Sequence, residues 1–352
     1  MKAKWIGLLL LIVVALGAVG YVWFSQTTQV TEISGYVGGE KIGLLEDEQV
    51  QKILKDKYRL SLDYNRAGSI EMVTTLDRTG QNFLFPSNQT ALELFEREGG
   101  SPEKSQIVLN TPIVLYTHTA VAEALTAEGV FSQSGGVLTA DMEQLVELME
   151  SGAQWSDVGL PELYGSVTVG TTDPAKSNSG NMLAGLLANV LCGGSVGEED
   201  LSELLPRLQA LFQKLGYMES SSSDLFDQFL KTGMGAKPLI AGYESQLLEF
   251  AVQESETWEQ IQGDIVMVYP TPTVWSSHVF IALDEAGALG IDALLDEEVQ
   301  RLAWENHGFR TGVYDAPTDT AQFGVEGVAE EVTQVAPMPG APVMEAIIAA
   351  LS

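Results

Sequence analysis

Two proline–threonine interruptions constrain this chain more than any other feature. Asn110-Thr111-Pro112 interrupts a long apolar, β-branched run over Ile107–Tyr116, and Pro270-Thr271-Pro272 follows a second run, Ile265–Val268. Proline lacks the N–H that a strand ladder needs, so a central strand does not tolerate it without a break. Two extended segments, each with one such break, suit a pair of crossings between two lobes. The division places residues 34–115 and 276–352 in one lobe and residues 116–275 in the other. A length of 352 residues fits about two domains.

Around these breaks, strand-like and helix-like segments alternate. Glu46–Tyr58 carries Val50, Ile53, Leu54 and Tyr58 on one helical face. Leu60–Tyr64 alternates as a strand, a turn at Ala67-Gly68-Ser69 opens a short helix, and Phe83-Leu84-Phe85 is a buried strand before a helix over Thr90–Glu98. Further along, Thr139 is placed to cap a helix through Met149, and Ser166–Val169 reads as a strand. Helices are expected over Ser179–Leu191 with Gly193-Gly194 closing it, over Leu201–Leu215 and over Ser223–Lys231. Leu239–Ala241, Glu244–Val252, Val274–Leu283, Ile291–Trp304 and Pro342–Leu351 continue as strand, helix, strand, helix and helix. Such alternation predicts an α/β fold with helices on both faces of the sheets.

Ile6–Phe24 carries no charge and follows Lys2 and Lys4. As a helix it reaches about 28 Å, close to the ~30 Å of a bilayer's hydrocarbon core. Trp5 at one end and Tyr21 with Trp23 at the other suit the two interfaces. The segment is expected to be an N-terminal transmembrane helix, with residues 25–33 as a tether. A signal peptide cut near Ala18-Val19-Gly20 is the alternative, and either reading exports the rest of the chain.

Composition excludes several classes. Asp and Glu number 48 against 18 Lys and Arg, a net charge of −30, and such a polyanion repels nucleic acid. The single cysteine, Cys192, rules out an intrachain disulfide, a multi-cysteine metal site and a lipid-modified cysteine near the N-terminus. Gly193-Gly194-Ser195-Val196-Gly197 matches a nucleophile elbow in letters, but it follows a helix where that motif needs a strand–turn–helix. His118, His278 and His307 belong to no catalytic or metal-binding motif, and no cofactor is called for. His118 and His278 fall near the two crossings. The acidic run Leu295-Asp296-Glu297-Glu298 reads as a solvated helix face.

Several short segments, in this order, resemble bacterial extracellular solute-binding proteins. They are Gly38-Gly39-Glu40-Lys41-Ile42-Gly43 with Leu45-Glu46-Asp47; Ala67 to Val73; Thr172-Asp173-Pro174 running into Ser177–Asn181; Tyr243-Glu244-Ser245; Tyr269–Thr273; and His307–Arg310. The resemblance implies a type II periplasmic-binding-protein fold, two α/β lobes closing on a ligand, and an ABC-type permease as the membrane partner.

Ligands of open α/β sheets settle at the carboxyl ends of strands, where helix N-termini present free N–H groups. Gly68 and Ser69 stand at one such turn and Ser177, Asn178, Ser179 and Gly180 at another. Ser87, Asn88, Thr111 and Tyr243 follow or interrupt other strands. These ten are the candidate ligand-binding residues, although Ser69 and Ser177 would equally serve as caps and Tyr243 as a core-edge residue. Glu71 and Glu244 read as dipole-stabilising carboxylates, and facing the cleft they would oppose an anion. The ligand class stays open between a small oxyanion and another small polar molecule. A sensory or assembly module of the same fold is the first alternative. A hydrolase using Ser195, Ser69 or Ser179 is the second.

Overall fold

A computed structural model of the chain describes residues 29–312 and 319–352. The expected N-terminal membrane helix lies outside the described residues. Among those described, no helix is long and apolar enough to cross a membrane.

The chain enters through β1 (Thr31–Val37) and a 3-10 turn at Gly39–Lys41, followed by α1 (Ile42–Glu46) and α2 (Glu48–Tyr58). Thr31–Ile33, expected in the tether, instead pair with Leu60–Leu62 as part of β1. Buried Ile33 holds them there against the hydrophobic core. Asp47 starts α2 by accepting from the N–H groups of Gln49 and Val50 at 2.7 and 3.2 Å. Next come β2 (Leu60–Arg66), α3 (Glu71–Thr74), β3 (Phe83–Phe85) and α4 (Gln89–Arg97).

The long strand β4 (Lys104–His118) follows. Beyond it lie α5 (Thr119–Ala127), β5 (Phe131–Ser134), β6 (Val137–Asp141), α6 (Met142–Ser151), α7 (Asn178–Cys192), α8 (Leu201–Gln213) and α9 (Ser222–Thr232). The cap of α6 is Asp141, and Thr139 lies within β6. Ser166 makes only an isolated bridge to Gln154, so Ser166–Val169 is extended chain without a ladder.

The last third runs β7 (Leu239–Tyr243), α10 (Glu244–Gln253), α11 (Ser255–Ile261), β8 (Ile265–Thr271), β9 (Trp275–Ala282), α12 (Glu285–Leu294), α13 (Glu297–Glu305), β10 (Arg310–Thr311) and α14 (Ala341–Leu351). The single helix expected over Ile291–Trp304 is two, because Asp296 leaves the first and caps the second. That aspartate is buried against Lys57 and the Tyr58 hydroxyl (2.6 Å), so it is not part of a solvated face.

The strands run in the order β2-β1-β3-β9-β4-β8-β6-β5, with β10 and β7 also on β4. Pro112 does not break β4. Residues 104–112 of β4 pair with β9, and from Ile113 onward the partners become β7 and β8. The proline sits where the strand changes sheets, so its missing donor falls at a change of neighbour. The return crossing passes through the cis Thr271–Pro272 bond into β9, with Ile113 N–H donating to Val274 O at 3.0 Å.

Each sheet is covered on both faces, as alternation dictates. Phe83 and Phe85 enter one core with Ile33 and Phe280, while Leu84 enters another with Met72, Leu94 and Ile281. Ile113 and Leu115 pack with Trp155, Leu183 and Leu208, and Val114 and Tyr116 with Phe229, Leu247 and Met267. The helix α14 supplies Val343, Met344 and Ile347 to the core of the second lobe, although the sequence places residues 276–352 in the first. It is brought there by a strap that crosses the hinge. Thr273 N–H donates to Gln334 O (2.9 Å), Ala336 N–H to Thr273 O (2.8 Å), and Asn189 Nδ2 to Pro337 O (2.8 Å).

Candidate functional site

The parallel register of β1 and β2 sets Val37 beside Arg66. The turns that leave these two strand ends, Gly38–Glu40 and Ala67–Glu71, are therefore neighbours at the carboxyl edge of the sheet. They form one wall of a cavity of about 600 Å³. The facing wall comes from the second lobe: Ala175–Asn178 at the start of α7, and Ser220–Ser222 with Asp224 at the start of α9.

The walls meet across the cavity. Arg66 Nη2 donates to Ser221 Oγ. Gly68 comes so close to the other lobe that a Cβ there would stand 2.7 Å from the Lys176 carbonyl oxygen. The absence of a side chain at Gly39 has a similar purpose, since a Cβ would lie 2.5 Å from Arg66 Nε. Glycines at these positions let the guanidinium lie against the backbone and let the lobes close.

No protein-family model matches the chain, and no curated protein sequence does. Solved structures do match in fold. The substrate-binding protein of an ABC transporter from Agrobacterium tumefaciens superposes with a TM-score of 0.58 at 14% identity, over 93% of this chain and 96% of that one. The apo ferric ion-binding protein A of Pasteurella haemolytica gives 0.59 at 11% identity, covering 91% and 95%. The sulfate-binding protein of Mycobacterium tuberculosis gives 0.52 at 13%, covering 90% and 96%. The chain has the type II solute-binding fold.

Within that fold the candidate residues occupy two layers. Gly68, Ser69, Ser177 and Asn178 line the cavity. The other six do not. Ser87 and Asn88 lie beneath the cavity: Asn88 caps α4 through the Ala91 N–H (2.8 Å) and donates through Nδ2 to Asn178 Oδ1. Asn178 Nδ2 in turn donates to the hydroxyl of Tyr243 (2.9 Å), which is fully buried. Thr111 lies on the crossing strand and accepts from the Ser245 N–H at 3.1 Å. Ser179 hydrogen-bonds Thr172 (2.7 Å) and Ser177 (3.3 Å). Gly180 packs tightly, its N–H donating to Thr172 Oγ1 (2.8 Å) and its Cα backed by the Thr172 carbonyl.

Of the charged residues of the cavity, sequence reading weighed Glu71 but missed Glu40, Arg66, Lys176 and Asp224 as lining residues. Glu40 lines it with a side chain only 7% exposed. Its Oε1 accepts from buried Lys41 Nζ at 2.5 Å and from Ser87 Oγ. Lys41 Nζ also meets Ser87 Oγ (2.8 Å) and His278 Nδ1 (3.1 Å). Burial pushes the Glu40 carboxyl up, but Lys41, His278 and the Ser87 hydroxyl outweigh it and hold the pKa at about 2. Burial pushes His278 well down, and adjacent Lys41 adds to this, against the opposing pull of Glu40. Burial also lowers Lys41, against the pull of Glu40. The signal for Glu40 was the Gly38-Gly39 pair before it. Arg66 carried none, because only the register of β1 on β2 brings it to the same place.

Among the described residues, no His, Asp, Glu or Lys side chain is hydrogen-bonded to the serines named as possible nucleophiles. Ser69 Oγ accepts the Ser87 N–H (2.9 Å), Ser179 is bonded as above, and Ser195 stays in the loop after α7. The Ser–His contact between Ser276 and His278 Nε2 (3.3 Å) is fully buried, with the Ser276 hydroxyl turned to Ser87 O at 2.6 Å. His118 is not at a crossing but at the far end of β4, bonded to Asp264 at 2.9 Å. Among the described residues, no three His, Cys, Asp or Glu side chains converge as a metal site.

Proposed function

We propose that this chain is an extracytoplasmic solute-binding protein that captures a small polar ligand between its lobes for an ABC-type permease, without covalent chemistry. The observation that carries this reading is the open cleft of about 600 Å³ walled by both lobes at the ends of parallel strands. Its size lies within the roughly 300–1,000 Å³ of sites that enclose small ligands. Hydroxyls from Ser69, Ser177 and Ser220–Ser222, the Arg66 guanidinium and the first turn of α7 offer hydrogen bonds of adjustable geometry. The uncharged Ile6–Phe24 segment would hold the protein at the outer face of the membrane, or serve as its export signal.

The ten candidate residues divide in this reading. Gly68, Ser69, Ser177 and Asn178 meet the ligand. Ser87, Asn88, Thr111, Ser179, Gly180 and Tyr243 position the walls. The test is a thermal-shift screen of the full chain, purified in mild detergent and refolded to strip carried-over ligand, against oxyanions, amino acids, sugars, polyamines and metal ions. A ligand bound only to the folded state at a hundred times its Kd adds about 2.7 kcal/mol. One ligand class that shifts the melt supports the reading, and a flat response across the whole panel overturns it.

A further inference from the structure

We infer that the cavity is built for a small zwitterion, an organic molecule carrying both a cationic and an anionic group. This rests on the solute-binding reading and goes beyond it to the ligand's charge. The lining holds three carboxylates, Glu40, Glu71 and Asp224, and two cations, Arg66 and Lys176. Lys176 is half withdrawn, because it is paired with Asp173 at 2.9 Å. That leaves Arg66 as the principal cation facing the ligand.

Arg66 gives one of its five donors to Ser221 and keeps the others for whatever lies in the cavity. It recognises an anionic group. Glu40 is more than nine-tenths buried, and its side-chain hydrogen bonds and ion pairs among the described residues are all on Oε1. Among the described residues nothing donates to Oε2. Lys41, which fixes the carboxylate from behind, is not part of the lining. A bare oxyanion in this cavity would face that carboxylate oxygen with no compensating donor. A bare cation would face Arg66. A ligand bearing both charges satisfies both groups.

The two poles are also close together. Arg66 Nε lies against Gly39 and Glu40 Oε1 against the neighbouring Gly38, where added Cβ atoms would stand 2.5 and 2.6 Å from them, so both poles border one turn. The matching ligand therefore carries its charges on a short chain.

Matched probes test this on the refolded full chain by calorimetry and thermal shift: taurine against ethanesulfonate, β-alanine against propionate, and 2-aminoethylphosphonate against ethylphosphonate. Sulfate, propylamine and a neutral sugar are run beside them. In at least one pair the amino member is expected to bind tenfold or more tightly than its partner. Glu40→Gln should bring that ratio close to one. Because this variant leaves Lys41 without a counter-charge, Glu71→Gln, an exposed substitution, is tested in parallel and should lower the ratio as well. Equal binding of the amino and des-amino members, or binding of sulfate, propylamine or sugar alone, overturns the zwitterion while leaving solute capture standing. Silence from every ligand in both panels overturns both readings.

Discussion

Arg310 grips Glu244 with two parallel hydrogen bonds, Nε to Oε2 at 2.7 Å and Nη2 to Oε1 at 2.8 Å, across the back of the hinge. Glu244 is fully buried at the start of α10, while Arg310 lies on β10 against the first half of β4. Glu244 thus stands in the first turn of α10 as expected of a dipole-stabilising carboxylate, but it is also ion-paired and is not part of the cavity lining. Removing one partner strands the other charge. Arg310→Met is expected to cost about 3–5 kcal/mol in urea unfolding, and adding Glu244→Gln should recover part of the loss.

A second polar bridge predicts a pH dependence. His307 Nδ1 meets Glu249 at 2.6 Å on α10, and its Nε2 meets Asp47 at 3.2 Å before α2. Burial lowers its pKa, but Glu249 and Asp47 outweigh it and the net shift is upward from 6.5. A folded-state pKa above the unfolded one gives stability that is fully present below about pH 6.5 and is lost as pH rises through the raised value. Urea midpoints of the wild type should therefore fall on going from pH 6 to 8.5 relative to His307→Gln. Parallel curves for the two proteins would refute the bridge.

Closure depends on the smallness of one wall residue. At Gly68 a Cβ would collide with the Lys176 carbonyl, so Gly68→Val should hold the lobes apart. Small-angle X-ray scattering is expected to show a larger radius of gyration, and the best ligand of the screen should lose about tenfold or more in affinity. An unchanged radius and affinity would show that the lobes meet elsewhere.

Gly180 tests packing instead of binding. An added Cβ would stand 2.1 Å from Thr172 O, inside the first turn of α7. Gly180→Ala should destabilise the chain by about 1–3 kcal/mol through displacement of that turn.

Met344 on α14 is fully buried in the second lobe's core. Met344→Ala is expected to cost about 2–5 kcal/mol. A cost near zero would mean that α14 is not held in that core in solution.

Local chemistry was legible in the sequence. The helix over Ser179–Leu191 and its glycine stop appear as α7 with Gly193 in the left-handed region, and both extended crossings are present. What escaped depends on neighbours distant in the chain. Pro112 looked like a break because a ladder donor is missing, yet the sheet changes partner there, from Trp275 to Tyr243. Thr31–Ile33 looked like a tether because nothing local shows that Leu60–Leu62 waits beside them. The site divides in the same way. Small residues at turns announced Gly68, Ser69, Ser177 and Asn178. The chain alone gave no sign that Arg66 and Glu40 flank one glycine, or that a buried lysine holds Glu40 in place.

The strap and α14 also bear on the order in which the protein becomes complete. The ribosome makes the sheet of the second lobe by Thr271, but Val343, Met344 and Ile347, which fill its core, come some seventy residues later. At about 5–20 residues per second that is a wait of ~4–15 s, during which the nascent second lobe has an open apolar trough. The first lobe cannot finish early either, since β9 lies between β3 and β4 and is made after the whole second lobe. Neither half can mature alone, so the packing of both lobes waits for β9 and then for α14.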